Sequence, residues 1–246
     1  MSTPGEAPVT LVTGANKGIG YSTAEQLAQL GHQVLLGARH PERGEAAARA
    51  LREAGGSATY LPLDITSDEQ VYAAARWIAA RFGRLDALVN NAAIKLEFHP
   101  APPSRCELDV VRRTLDTNVV GTIRVIQAML PLLRRAPAGR IVNVSSGLGS
   151  LTLATTPGSK YRDRPLLSYN VAKAALNSVT VQFANELRDT AVKVNAVDPG
   201  FTNTDMTKNS GSRTPTQAAA AIVRLATTGP DGPTAGYFDE GGSIPW

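Results

Sequence analysis

Tyr169, Lys173 and Ser146 are the side chains of this sequence best suited to acid–base chemistry. Tyr169 and Lys173 are four positions apart in a helical pattern, so they share one helix face. A free tyrosine has a pKa of about 10, and a lysine ammonium beside it stabilises the phenolate and lowers that pKa. Ser146 ends an apolar run, and its hydroxyl can hold a substrate oxygen that gains negative charge. The Tyr/Lys spacing alone is common by chance, but of the six tyrosines only Tyr169 has it.

A glycine-rich turn near the N-terminus has the form of a phosphate-binding site. Residues 13–20 read Thr-Gly-Ala-Asn-Lys-Gly-Ile-Gly, after a β-branched run and before a helical pattern. Free backbone N–H groups and the dipole at a helix N-terminus favour a pyrophosphate, and glycines let the backbone approach it. Strand-to-helix turns also need glycine for geometric reasons, so a purely structural role stays open.

The end of the second predicted strand indicates which dinucleotide is preferred. Arg39 lies 19 positions beyond Gly20. Near this point, dinucleotide-binding folds place an acidic residue that holds the adenosine ribose hydroxyls or an arginine that holds a ribose 2′-phosphate. Lys17 adds a second positive charge from the glycine turn. Arg39 and Lys17 can each be an ordinary solvated charge, but the two together favour NADP over NAD.

Polar residues follow the third and fourth predicted strands. Asp64 can accept a hydrogen bond from an adenine amino group, or Asp64 and Thr66 can cap the next helix, and both roles can hold at once. Asn90 and Asn91 suit a place where side-chain amides tie adjacent loops together, although they are also ordinary turn residues.

Apolar runs alternate with helical patterns along the whole chain, which predicts an α/β fold with a parallel sheet and helices on both faces. With 246 residues, of which 43% are hydrophobic, one domain over 1–246 is sufficient. Ligands then lie at the carboxyl ends of the strands. The predicted strands are 9–12, 33–37, 58–61, 87–90, 140–144, 193–197 and 235–238, and the predicted helices are 18–30, 41–54, 68–82, 105–134, 168–189 and 215–226.

Composition narrows the function class. The formal net charge of +4 is small and scattered, which argues against nucleic-acid binding. Cys106 is the only cysteine, so a reducing compartment is expected, and the three histidines lack metal-ligand spacing. No stretch reaches the roughly 20 apolar residues of a membrane helix. We therefore expect a cytoplasmic protein with no metal and no membrane or nucleic-acid partner.

From about Thr10 to Phe238, these motifs resemble the short-chain dehydrogenase/reductase family in type, order and spacing. The resemblance implies a doubly wound, seven-stranded Rossmann-type sheet and an NADP(H) cofactor. The segment Pro-Gly-Phe-Thr-Asn-Thr at 199–204 matches the family segment that contacts the nicotinamide carboxamide. The cofactor-binding residues implied are Gly14, Asn16, Lys17, Gly18, Ile19, Gly20, Arg39, Asp64, Ile65, Asn91, Tyr169, Lys173, Pro199, Gly200, Thr202 and Thr204.

The resemblance also implies the catalytic roles. Tyr169 would donate the proton, Ser146 would orient the carbonyl, and Lys173 would bind the nicotinamide ribose and lower the tyrosine pKa. Asn118 would hold a water in the proton relay, although periodicity alone makes it a polar residue in mid-helix.

Two departures from the family pattern stand out. Ala93 replaces a glycine, which is a small loss. Between Ser146 and Tyr169 lie 22 residues, where compact members have about a dozen. The inserted piece, about 151–165 with Lys-Tyr-Arg-Asp-Arg at 160–164, resembles a shortened insertion of carbonyl-reductase-like members. Because such insertions are associated with altered oligomerisation, a standard tetramer is not expected, and monomer or homo-oligomer is left open.

The predicted function is therefore NADPH-dependent reduction of a ketone or aldehyde, with a small-molecule substrate held by loops at about 93–104, 146–168 and 201–214. The last of these includes a short polar lid after Thr204. A 3-oxoacyl-thioester or polyketide ketoreductase is the alternative, and it would need a basic entrance. A third hypothesis is a non-catalytic NADP sensor. For the alternative of a thioester or polyketide ketoreductase, the candidates for the basic entrance are Arg124, Arg134 and Arg135. These arginines can equally well be ordinary solvated charges on a helix.

Overall fold

The computed structural model describes residues 7–97, 99 and 101–246. Seven parallel strands form one sheet in the order β3-β2-β1-β4-β5-β6-β7. This confirms the single-domain α/β prediction. The strands are β1 (Val9–Thr13), β2 (Gln33–Ala38), β3 (Ser57–Pro62), β4 (Ala87–Asn90), β5 (Arg140–Val144), β6 (Lys193–Val197) and β7 (Tyr237–Phe238).

The helices connect these strands and cover both faces of the sheet. Short 3-10 turns lie at Pro103–Arg105, Gly147–Gly149 and Asp205–Thr207, and a π turn lies at Asp116–Val120. The helices are α1 (Gly18–Gln29), α2 (Pro41–Glu53), α3 (Asp68–Phe82), α4 (Leu108–Leu115), α5 (Gly121–Leu133), α6 (Leu151–Thr155), α7 (Leu167–Glu186) and α8 (Pro215–Ala226).

Two expected elements differ in the structure. The helix expected over 105–134 begins later, at Leu108, and runs without a break to Leu133, but a π turn at Asp116–Val120 in its middle divides it into α4 and α5. A π turn is invisible to a search for 3.6-residue periodicity. The last strand, expected over 235–238, spans only Tyr237–Phe238, and Ala235 ahead of it has a φ of +56°, outside the extended region. Of the substrate loop expected at about 93–104, residues 98 and 100 lie outside the described residues.

Alternating side chains of each central strand enter two separate cores. Leu11 of β1 and Leu88 of β4 pack with α3 and α5 on one face of the sheet. Their neighbours Val12 and Val89 pack with α1, α2 and α8 on the other face. Strands buried on both faces explain the continuous apolar runs in the sequence.

The order of the strands reverses between β1 and β4, which opens a crevice at their carboxyl ends. The glycine turn and the loops after β4, β5 and β6 all lie at this edge. Among the described residues, no helix has the length and apolar character needed to span a membrane.

Candidate active site

The glycine turn after β1 has the backbone shape of a phosphate cradle. Gly14 and Gly18 have φ values of +65° and +58°, a region that favours glycine. A Cβ on Gly20 would lie 2.5 Å from the Gly14 carbonyl oxygen, so this close approach excludes any side chain. Lys17 precedes α1 without a side-chain cap, which leaves the backbone N–H groups of the first turn available to a phosphate. The turn therefore fits a dinucleotide pyrophosphate.

Asn91 holds this turn against the end of β4. Its Nδ2 donates to the carbonyl oxygens of Thr13 at 2.9 Å and Gly14 at 3.2 Å, and its backbone N–H donates to Thr13 Oγ1 at 3.0 Å. A neighbouring amide pair, Asn90 to Asn143 at 2.9 Å, joins β4 to β5. The side-chain amides thus tie adjacent loops together.

An open cavity lies between the glycine turn and α2, and Lys17 lines it. Arg39 is exposed just after β2. Asn16, Lys17 and Arg43 line this cavity, of about 600 Å³. Lys17 Nζ pairs with Asp205 at 2.5 Å, so the charge expected to meet a phosphate has an internal partner. Sequence reasoning missed Arg43, which lies four residues after Arg39 at the start of α2.

Asp64 and Ile65 follow β3, as expected, but Asp64 is not the cap of the next helix. Its Oδ1 accepts from Thr66 N at 2.9 Å and from Thr66 Oγ1 at 2.7 Å, which forms a local turn. Ser67 caps α3 by accepting from Gln70 N at 3.3 Å. The expected capping role of Asp64 and Thr66 was therefore wrong, because the cap lies one residue after Thr66 and three residues after Asp64.

Ser146, Tyr169 and Lys173 converge where β5 and α7 meet. Lys173 is 2% exposed, and its Nζ donates to the Val144 carbonyl oxygen at 2.7 Å. The same Nζ lies 5.5 Å from the centre of the Tyr169 ring. Ser146 forms a side-chain hydrogen bond with Tyr169, and its Oγ also accepts from Leu148 N at 3.3 Å. One helix face and one strand end thus bring together the three groups predicted from spacing.

The pKa of Tyr169 departs from the expectation. Burial raises it and the negative charge of Asp198 raises it further, while the hydrogen bond with Ser146 lowers it. Burial lowers the pKa of Lys173 to about 8, and Asp198 opposes this shift. The expected depression of the tyrosine pKa by Lys173 was wrong for this structure, because desolvation of the phenolate outweighs the other influences.

Asn118 lies in the π turn and is buried at 1% exposure. Its Oδ1 accepts from Ile94 N and its Nδ2 donates to the Ile94 carbonyl oxygen, both at 2.8 Å. The side chain therefore fixes the loop after β4 to the helix layer. It is not the regular mid-helix position that periodicity indicates.

The segment after β6 passes over the glycine turn. Gly200 has a φ of +76°, and Thr202, 2% exposed, donates from Oγ1 to the Gly200 carbonyl oxygen at 3.1 Å. A Cβ on Gly18 would lie 3.4 Å from the Thr204 methyl group. Thr204 thus meets the cradle directly, and Pro199, Gly200 and Thr202 precede it in the same segment.

Glu97 was missed by sequence reasoning. Its Oε2 accepts from Ser168 N at 2.8 Å, from Ser168 Oγ at 2.5 Å and from Tyr169 N at 3.2 Å. The carboxylate therefore accepts from two backbone N–H groups in the first turn of α7, those of Ser168 and of Tyr169 itself. Because Glu97 is distant in sequence and belongs to no local capping motif, no sequence signal marked it.

The comparisons with known proteins agree with this geometry. Residues 8–215 match the family model for short chain dehydrogenase. The chain is 37% identical to Short-chain dehydrogenase anuI of Penicillium roqueforti over 228 residues, 90% of this chain and 89% of that protein. It is 30% identical to Carbonyl reductase (NADPH) 1 of Mus musculus over an alignment of 277 residues, with 97% of this chain and 98% of that protein covered. The structure of NADPH-bound carbonyl reductase from chicken fatty liver matches with a TM-score of 0.85 at 25% identity, with 98% and 100% of the two chains covered.

The match spans the glycine turn, the Ser/Tyr/Lys set and the segment after β6, and it confirms the family resemblance and the NADP(H) cofactor. The chain belongs to the short-chain dehydrogenase family and is an NADP-dependent oxidoreductase.

Proposed function

We propose that the chain reduces a ketone or aldehyde of a small molecule to an alcohol, with Tyr169 as the proton donor. The observation that carries this proposal is the convergence of Ser146, Tyr169 and Lys173 at the edge of the sheet that holds the cradle. The carbonyl reductases among the related proteins support the same substrate class.

The cofactor would lie along the crevice. Gly14, Gly18 and Gly20 would hold the pyrophosphate through backbone N–H groups, with Asn16 and Ile19 in the same turn. Arg39 and Lys17 would hold the 2′-phosphate, because an arginine fork and a lysine point charge suit a dianion. Asp64, Ile65 and Asn91 would line the adenosine side, and Pro199, Gly200, Thr202 and Thr204 the nicotinamide side. When bound, NADPH supplies the hydride that adds to the carbonyl carbon.

The chain's own side chains would manage the proton. Ser146 Oγ would donate a hydrogen bond to the carbonyl oxygen, and Tyr169 Oη would transfer its proton to that oxygen. The raised pKa of Tyr169 keeps the phenol protonated, as a donor requires in the reducing direction. Lys173, with a pKa of about 8, is mostly charged at neutral pH and would stabilise the phenolate that remains. Asn118 would hold a water molecule in the relay that returns a proton to the Tyr169 phenolate.

Reduction of a carrier-bound 3-oxoacyl thioester has less support. Arg124 pairs with Asp68, Arg134 pairs with Glu186 at 2.9 Å, and Arg135 donates to the Gly83 carbonyl oxygen at 3.3 Å. The charges proposed for a basic entrance thus have partners within the fold. Acyl thioesters remain one arm of the test.

The test follows NADPH consumption with aldehydes, ketones, diketones and acyl thioesters, for wild type and Tyr169→Phe. We expect turnover of at least one carbonyl class, a loss of about 100-fold or more in the variant, and unchanged NADPH binding. Tyr72→Phe, at an exposed tyrosine of α3, is the matched control. Full activity of Tyr169→Phe would refute the proton-donor role, and NADPH binding without turnover of any class would favour a sensor.

A further inference from the structure

The three loops expected to hold the substrate meet at one exposed arginine, Arg164. It lies near the end of the inserted segment, and its backbone carbonyl oxygen accepts from Nδ2 of Asn170, the residue after Tyr169, at 3.1 Å. The carbonyl oxygen of the next residue, Pro165, accepts from Ala101 N at 3.4 Å, which joins the inserted segment to the loop after β4. The backbone of Arg164 is therefore held against the start of α7, beside the proposed proton donor.

The side chain of Arg164 contacts the third loop, where it lies on an aromatic ring. Its guanidinium carbon is 5.6 Å from the centre of the Phe201 ring, within the range of a cation–π contact. Phe201 lies between Gly200 and Thr202 in the segment after β6, and its carbonyl oxygen accepts from Arg213 N at 3.1 Å. A guanidinium that lies on a ring keeps the N–H groups at its edge available to a further acceptor.

The positive charge of Arg164 has no carboxylate partner in the part of the chain that the structure describes, and this includes the neighbouring Asp163. Two carboxylates of the surrounding loops have other partners, because Glu97 accepts from the first turn of α7 and Asp205 pairs with Lys17. The planar fork of an arginine binds a carboxylate through two parallel N–H···O bonds. Arg164 is therefore a charged donor that the fold leaves for an external anion.

Two lysines add positive charge on the same side. Lys95 is half-buried in the loop after β4, and Lys208 lies in the short polar lid. Burial lowers the pKa of Lys95, and the positive charges of Lys208 and Arg164 lower it further. An anion held at Arg164 would thus also enter the field of these two ammonium groups.

We propose that Arg164, supported by the Phe201 ring, binds a carboxylate of the substrate, so that the chain prefers carbonyl compounds that carry such a group away from the reacting carbonyl. This inference rests on the proposed function and names the substrate class within it. Phe201 is 45% exposed, so its ring also offers an apolar surface to the carbon atoms between the carboxylate and the carbonyl. The inserted segment would thereby take part in the choice of substrate.

The test compares ketone and aldehyde acids of increasing carbon-chain length with their methyl esters, which keep the shape of the acid and lose its charge. For at least one length, we expect wild-type kcat/KM for the acid to exceed that for the ester by about 10-fold. In Arg164→Gln this ratio should fall to about one, with the loss in KM for the acid, because an amide cannot form the charged pair.

Two further variants separate the fork from the charge and from the segment. Arg164→Lys keeps the charge without the planar fork, so it should give an intermediate ratio of acid to ester. Arg162→Gln, exposed in the same inserted segment, is the matched control and should keep the wild-type ratio.

Equal kcat/KM for acid and ester in the wild type at every length would overturn the proposal, and so would the wild-type ratio in Arg164→Gln. If no acid and no ester is turned over, the proposed function fails, and binding decides the inference. The NADPH-bound protein is then titrated with the corresponding hydroxy acids and their methyl esters, with NADPH fluorescence as the readout. Binding of an acid about 10-fold tighter than its ester, lost in Arg164→Gln, would support the carboxylate site, and equal binding would overturn it.

Discussion

The two sides of the crevice are built in different ways. The cofactor side is shaped by the backbone: positive φ values at Gly14 and Gly18 and a glycine contact at Gly20 form the cradle. The substrate side is shaped by carboxylates that reach across long stretches of chain, from Glu97 to the start of α7 and from Asp198 to Tyr161. The cradle therefore tolerates almost no added atom, whereas the catalytic side depends on carboxylates that accept hydrogen bonds from distant parts of the chain.

Among the substitutions considered, Gly20→Ala on the cofactor side is expected to have the largest effect on stability and on NADPH binding. The new methyl group would meet the Gly14 carbonyl oxygen at 2.5 Å and Asn91 Nδ2 at 2.4 Å, so the turn must open. We expect the free energy of unfolding to fall by about 1–3 kcal/mol and NADPH affinity to be lost with the shape of the turn. Denaturant unfolding and fluorescence titration measure both, and Gly229→Ala, where a Cβ would meet nothing within 4 Å, is the control. Normal NADPH affinity of Gly20→Ala would show that the cradle is not shaped by this contact.

A change at Arg39 should alter cofactor choice and leave the fold intact. Arg39→Ser removes the charged donors proposed for the 2′-phosphate, so kcat/KM for NADPH should fall by about 10- to 100-fold, with little change for NADH. Arg49→Ser, at an exposed position of α2, should change neither value. An equal loss with both cofactors would contradict a specific contact with the phosphate.

On the substrate side, Glu97→Ala should slow the reaction without weakening cofactor binding. The variant leaves three donors of Ser168 and Tyr169 without their carboxylate and removes a negative charge from the N-terminus of α7. We expect kcat to fall by about 10-fold, with Glu97→Gln in between and NADPH affinity unchanged. Glu53→Ala, exposed at the end of α2, is the control. A purely structural cap would lower thermal stability and leave kcat unchanged, which is the result that would exclude a positioning role.

The smallest effect is expected at the ion pair between the two sides. Lys17 and Asp205 have exposed side chains, at 58% and 67%, so their attraction is largely screened by water. Asp205→Asn should leave thermal stability unchanged and release Lys17 for a phosphate, with an increase in NADPH affinity of about fivefold or less at low salt. A marked decrease in affinity would show that Asp205 helps to hold the cofactor.

The contrast between the two sides also explains what the sequence could predict. The strands, the cradle and the Tyr/Lys spacing depend on local patterns, and β4, β5 and β6 occur at the predicted residues. The contact of Asn118 with Ile94 joins residues 24 positions apart, and the capping of α7 by Glu97 joins residues at least 71 positions apart. No local sequence pattern records contacts of this range. The sequence identifies Tyr161 only as part of the inserted segment, because its hydrogen-bond partner Asp198 lies 37 positions away.

The most direct test of the central claim follows the hydride and the proton together. Wild type and Tyr169→Phe are incubated with NADPH deuterated at the transferable position and the best substrate of the panel, and the product is analysed by mass spectrometry. The account predicts one deuterium on the alcohol carbon with wild type, and bound NADPH with almost no labelled alcohol in the variant. Labelled alcohol formed at the wild-type rate by Tyr169→Phe, or unlabelled alcohol from wild type, would contradict it.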